Sequence, residues 1–201
     1  MQRYSPTTAL IVVDVQNDFA DPAGGLSVAG GDAIIATVNR EIAMAANDGA
    51  LVVLTQDWHP ETTPHFAKDG GIWPVHCVHD TWGAALHPDL RLPDDALLVR
   101  KGANGEDGYS GFTMRDPVTG ETLATELEAS LRDRGVERVV VVGLATDYCV
   151  KATVLDAVRL GFDVAVLTDA IAAVELRPGD GERAIAEMTD AGVTMWRTVM
   201  R

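Results

Sequence analysis

Positive charge is scarce in this sequence: 16 lysines and arginines stand against 30 aspartates and glutamates, a formal net charge of -14. Such a surface repels a phosphate backbone, and no Lys/Arg cluster interrupts it, so neither nucleic acid nor an anionic membrane is an expected partner. Long apolar runs are missing as well. The first one after Met1 spans only about five residues, too short for a signal-peptide core or a membrane span, and the chain reads as cytoplasmic. Cysteine occurs twice, at Cys77 and Cys149. The count permits one disulfide, but a chain with a large core does not need one, and reduced thiols are expected. Internal repeats and low-complexity linkers are absent. With 201 residues, 47% hydrophobic and 23% charged, the composition is that of a folded protein, one domain over residues 1–201. A homo-oligomer is compatible with it.

What the sequence does have is a short apolar run that keeps returning. Residues 9–14 end such a run on Asp14; residues 51–55, 96–99, 139–142 and 164–167 repeat it, and 193–196 form a weaker sixth instance. Runs this short and this rich in branched residues read as strands buried on both faces. Helical periodicity covers residues 32–47, 122–134, 147–160 and 179–191, with Gly49, Gly135, Gly161 and Gly192 just past the helix ends. Strands alternating with helices imply right-handed crossovers, hence an α/β fold: a three-layer α/β/α sandwich on a mainly parallel sheet of about six strands. Residues 56–93 fit neither period, and irregular stretches of that length in compact domains are commonly functional. Ligands of open parallel sheets sit beyond the carboxyl ends of the strands, so the residues after each run carry the functional information.

Those positions hold Asp14 after the first run, Asp57 and His59 after the second, Lys101 after the third and residues 146–149 after the fourth. Each has a plain alternative. A lone aspartate at a strand end caps turns as readily as it moves protons, and a lone lysine is usually a solvated one. Buried beside a thiol, Asp14 has its pKa raised toward values that suit proton transfer, and Lys101 stabilises both a carboxylate and a thiolate. Free cysteine is usually inert packing, which suits Cys77 in its loop. Cys149 differs in location. There a strand passes through a tight turn into the first turn of a helix, whose unpaired N–H groups lower a thiol pKa and cradle an oxyanion.

Three of the five histidines share one window with an aspartate: Asp57 and His59 flank Trp58, and His65 and His76 follow. Scattered surface histidines are the alternative. An Asp-x-His pair at a strand end, joined by two imidazoles from the next loop, is a ligand set for a transition metal: zinc, iron or manganese. His79 and His87 read equally as surface residues or as outer partners of that set.

Residues 10–19 (LIVVDVQNDF), 57–59 (DWH) with His65-Phe66, 73–77 (WPVHC), Lys101-Gly102, 109–112 (YSGF) and 143–150 (GLATDYCV) resemble the nicotinamidase/pyrazinamidase branch of the isochorismatase-like cysteine hydrolases. The resemblance runs through nearly the whole chain in the family's order. Many amidases of the superfamily share the Asp, Lys and Cys; the histidine set points to this branch. It implies an amidohydrolase that converts nicotinamide to nicotinate and ammonia in NAD salvage and also accepts pyrazinamide. It implies Cys149 as nucleophile, Asp14 as acid/base and Lys101 as their electrostatic partner. Asp57, His59, His65 and His76 become the ligands of one divalent ion that binds the pyridine nitrogen. In such enzymes the Leu144–Ala145 bond is a cis peptide, the N–H groups of Ala145 and Cys149 face the oxyanion, and Phe19, Trp73, Tyr109 and Ala145 line the ring pocket. Tyr148 stands where some relatives carry histidine.

Three other readings compete. A vinyl-ether hydrolase of the superfamily has no need of Cys149, an amidase for carbamoyl or ureido substrates leaves the histidines idle, and a non-catalytic binding module needs none of this convergence. Along the sequence the metal ligands lie apart from the nucleophilic turn. Lys101 is expected to serve Asp14 and the thiolate rather than a structural ion pair, and mild acid is expected to release the ion by protonating its histidines.

Overall fold

The computed structural model describes residues 3–198. Along the chain run β1 (Thr8–Val13), α1 (Asn17–Ala20), α2 (Ile35–Asn47), β2 (Leu51–Asp57), β3 (Leu97–Lys101), β4 (Thr113–Arg115), β5 (Thr122–Ala124), α3 (Leu127–Asp133), β6 (Arg138–Leu144), α4 (Lys151–Arg159), β7 (Asp163–Ala172), α5 (Asp180–Asp190) and β8 (Thr194–Trp196). Six strands form one sheet in the order β3-β2-β1-β6-β7-β8, and every neighbouring pair is parallel. This is the α/β sheet that the alternating pattern implies.

Strand period explains why β1 is apolar from Ala9 to Val13. Leu10 and Val12 point into a core shared with Val38, Ile42 and Ala45 of α2, whereas Ala9, Ile11 and Val13 point into one shared with Leu127, Leu131, Val154, Ala157 and Met188 of α3, α4 and α5. Helices therefore cover both faces of the sheet. The four glycines expected past helix ends, Gly49, Gly135, Gly161 and Gly192, all have positive φ. No helix among the described residues is long and apolar enough to cross a membrane.

Two expected elements differ. The helix expected over 122–134 begins only at Leu127, because residues 122–124 pair antiparallel with β4 as an exposed ribbon. Thr125 makes the break: its hydroxyl accepts the Leu127 N–H (3.2 Å), as a capping residue does. The helix expected over 147–160 opens with one π-helical turn, Thr146–Val150, before α4.

β3, β2, β1 and β6 are consecutive neighbours, so their carboxyl ends form one row bearing Lys101, Asp57, Asp14 and the turn to Cys149. Asp57 is in register with Lys101 and Val13 with Gly143. Only glycine fits at 143, where a Cβ would lie 2.1 Å from the Val13 carbonyl oxygen. That approach brings the end of β6 against Asp14.

Candidate active site

Asp14, Lys101 and Cys149 meet in the interior, with Asp14 and Lys101 fully buried and Cys149 6% exposed. Lys101 Nζ donates to Asp14 Oδ2 (2.7 Å), to Asp57 Oδ1 (2.7 Å) and to the Gly108 carbonyl, and it lies 3.7 Å from Cys149 Sγ. An ammonium has three protons, and the three oxygen acceptors use them, so the sulfur receives the field of the charge rather than a full hydrogen bond. The Thr55 hydroxyl donates to Asp14 Oδ1 (2.6 Å) and holds the carboxylate in orientation.

Burial raises the Asp14 carboxyl above its usual range despite Lys101. Burial likewise raises the Asp57 carboxyl, but there Lys101 and the facing imidazoles outweigh it, and the group lies below the usual range. Burial disfavours the Lys101 ammonium, yet the two carboxylates more than offset this and push its pKa up. Lys101 is therefore part of a structural ion pair, contrary to the expectation from sequence. Cys149 corrects a second expectation. Desolvation lifts its thiol well above the ordinary range, and Lys101 reverses this only in part.

The turn before Cys149 carries the two N–H groups expected to face an oxyanion. The Leu144–Ala145 peptide is cis. The Ala145 carbonyl accepts the N–H groups of Tyr148 (3.1 Å) and Val150 (3.0 Å); the intervening Cys149 N–H and that of Ala145 itself make no turn or side-chain hydrogen bond among the described residues. Asp147 pins the turn, its carboxylate accepting the Val174 and Glu175 N–H groups (2.9 Å each).

His59, His65 and His76 converge, each offering a ring nitrogen within 4.8 Å of the others. Asp57 Oδ2 faces them at 3.4 Å from His59 Nε2 and 3.8 Å from His76 Nε2. His76 Nδ1 bonds the Pro74 carbonyl (2.8 Å), which turns Nε2 inward. Among the described residues both nitrogens of fully buried His59 lack a hydrogen-bond partner, a cost that a metal ligand bond removes. Burial, reinforced by His59, lowers His65 to about 3, and burial also lowers His76, so both are neutral donors. The residues fit a divalent transition metal. Of this set Asp57 stands beside Cys149 rather than apart from it, since carboxylate oxygens of Asp14 and Asp57 lie within 4.8 Å of Cys149 Sγ.

Aromatic rings wall the space in front of the imidazoles. Phe19 packs 5.4 Å from the His76 ring, Tyr109 5.5 Å from His65, and Trp73 Nε1 donates to the Tyr109 hydroxyl (2.8 Å). Half-buried Tyr148 joins them, edge-on to Trp73 at 4.7 Å; its place immediately before Cys149 was the only sequence signal for it. Gln16 had no such signal. Its amide donates to the Asp57 carbonyl (2.8 Å) and accepts the Asp57 N–H (2.8 Å), tying the segment after Asp14 to a histidine-facing carboxylate. His79 is exposed and bonds Asp80, and His87 lies by α2, so neither ring belongs to the site.

A six-stranded parallel sheet with a buried cysteine and a carboxylate–lysine pair at its carboxyl edge places the chain among α/β proteins with a cysteine hydrolase type of site. Residues 8–198 match the isochorismatase domain, and the chain belongs to that family. It is 40% identical to the nicotinamidase of Escherichia coli, over 95% of each chain. Among solved structures, the pyrazinamidase of Pyrococcus horikoshii in complex with zinc is 44% identical, covering 96% of this chain and 100% of that one with a TM-score of 0.85. PnC1 of L. infantum, in complex with nicotinate, is 37% identical over 96% and 94% with a TM-score of 0.86.

Proposed function

We propose that residues 1–201 act as one catalytic domain that hydrolyses nicotinamide to nicotinate and ammonia. The observation that carries the reading is the position of Lys101: one buried ammonium touches Asp14 and Asp57 and lies beside Cys149, so the nucleophile and the imidazole cluster belong to a single site. Asp14 takes the thiol proton as Cys149 Sγ attacks the amide carbon, and the oxyanion settles against the N–H groups of Ala145 and Cys149. The C–N bond then breaks, Asp14 returns the proton to the departing nitrogen, and ammonia leaves a thioester. Water, deprotonated by Asp14, attacks the thioester; the C–S bond breaks, Asp14 returns the proton to Sγ, and the acid is released. The raised Asp14 pKa suits both directions of transfer, and Lys101 limits the charge that builds on sulfur.

Asp57, His59, His65 and His76 would hold one divalent ion, zinc, iron or manganese, which supplies a Lewis-acidic contact for a ring nitrogen. Phe19, Trp73 and Tyr109 enclose the ring, and Ala145 borders its amide. Product and substrate are small molecules of pyridine nucleotide salvage, and pyrazinamide fits the same description. Both cysteines are free, which suits the reducing cytoplasm. An amidase for ureido substrates would leave the orphaned nitrogens of His59 without a use.

Ammonia release from nicotinamide and benzamide tests the reading. Benzamide lacks the ring nitrogen, and its kcat/KM is expected to be much lower, by less than the roughly 10⁴–10⁵-fold of a buried polar group left unpaired, because water can fill the vacancy. A chelator should bring nicotinamide toward the benzamide value. Equal efficiency on both amides in metal-loaded protein would remove the ring-anchoring role.

The pH profile has a definite sign. Asp14 must be ionised to accept the thiol proton, so kcat/KM falls as pH falls through its raised pKa, and the acid limb lies above the ordinary aspartate value of about 3.9. The sequence points to a second route in mild acid, release of the ion by protonated histidines, and burial, which holds His65 near 3, opposes it. Stoichiometric metal retained at the midpoint of the limb would agree; release in step with activity would not.

A further inference from the structure

Asp18, on α1, belongs to neither the nucleophile set nor the imidazole set, yet its carboxylate is committed to backbone near both. Its Oδ2 accepts the Cys77 N–H at 2.6 Å and its Oδ1 the Gly25 N–H at 2.8 Å. The Asp18 N–H donates to the Gly83 carbonyl (3.0 Å), and a Cβ at Gly83 would lie 2.0 Å from Asp18 Oδ2, so the carboxylate occupies the room that glycine leaves. Cys77 is fully buried with φ +46, a left-handed conformation that a non-glycine residue takes only when its surroundings hold it there. Two imidazoles depend on that turn. His76 immediately precedes it, and the Cys77 carbonyl accepts the His59 N–H (2.9 Å), while the His79 N–H returns to the His59 carbonyl (2.8 Å).

We infer that Asp18 is a positioning residue for the metal site: by fixing Cys77 in its left-handed turn, its carboxylate sets His76 and His59 for a divalent transition metal. The inference rests on the metal reading above and assigns the site its support. It also gives Cys77 a role beyond packing, as the residue through which one carboxylate reaches two ligands.

Zinc competition between the purified protein and a chromogenic chelator, without substrate, is the test. D18A is expected to bind zinc about 10–100-fold more weakly, the range seen when a partner that orients a metal ligand is lost. D18N keeps one acceptor oxygen and should fall between D18A and wild type. G83A retains Asp18 but places a methyl group where its carboxylate sits, and should weaken zinc as D18N or D18A does. Activity of each variant should return in excess zinc. Should D18A fail to fold, D18N and G83A carry the test. Wild-type zinc affinity in folded D18N and G83A would overturn the inference, as would lost activity that excess zinc does not restore. A wild-type protein that itself bound no zinc, iron or manganese would instead overturn the metal reading on which the inference stands.

Discussion

Cys149→Ala is expected to bring amide hydrolysis to background, a fall on the order of 10⁶-fold, as for removal of the nucleophile in other covalent hydrolases. In the proposed mechanism the sulfur is the attacking atom, and no neighbouring carboxylate has a path to a thioester in its stead. The fold should survive, because the substitution removes one atom from a helical turn whose other contacts are backbone bonds to Ala145 and the grip of Asp147 on residues 174–175. The metal site should survive too, since Lys101 keeps its bonds to Asp14, Asp57 and Gly108 when the sulfur is gone. Alkylation provides the complementary measurement. Cys77 is fully buried in the core, whereas Cys149 keeps a small exposed area among the aromatic walls, so an iodoacetamide-type reagent should inactivate the protein through Cys149 first. Inactivation tracking modification of Cys77, or turnover surviving in C149A, would unseat the nucleophile.

Lys101→Met should abolish most turnover and, unlike a surface lysine change, destabilise the fold. Two carboxylates share this one buried cation, and removing a partner from a buried pair typically costs about 3–5 kcal/mol because the remaining charge has no solvent. In a chain of this length that is a drop in Tm on the order of 10 °C. Asp14, already raised by burial, is the carboxyl that takes up a proton when the lysine is lost, whereas Asp57 still faces imidazoles. A carboxyl whose folded-state pKa lies above its unfolded value binds more protons folded than unfolded between the two. Stability of the variant then declines as pH rises through that interval, and its deficit against wild type should be larger at pH 8 than at pH 5. Thermal unfolding of both proteins across that range measures it. A deficit absent at both pH values would remove Lys101 from the ion pair, and an unaltered pH dependence of thiol alkylation would separate its charge from Cys149.

The sequence by itself determined which residue types stand at the ends of the apolar runs, and therefore the chemistry on offer. Burial on both faces forces β1 to be apolar from Ala9 to Val13, so the first polar residue after it, Asp14, marks the carboxyl end of a central strand. The same logic located Asp57, Lys101 and the turn before Cys149, because a parallel sheet places all such ends on one edge. Short-range rules did less well where local and distant partners compete. Residues 122–124 carry a helix-compatible pattern but find β4, and the helix beyond them starts where the Thr125 hydroxyl takes the Leu127 N–H.

Only the tertiary structure decided how the charged groups act on one another. Helix-terminus logic lowers the Cys149 thiol, yet the fold buries it, and desolvation is the larger effect. Lysine at the end of a strand is ordinarily solvated, yet here it joins Asp14 to Asp57, residues 87 and 44 positions away. Asp18 reaches Cys77 across 59 residues, and Gln16 reaches Asp57 across 41, with nothing in the intervening sequence to announce either pair. The reason is physical. Periodicity and turn chemistry are written in nearest neighbours and survive in a linear string, whereas a pKa, an ion pair and a ligand's orientation depend on what the folded chain brings within a few ångströms and on how much water it removes.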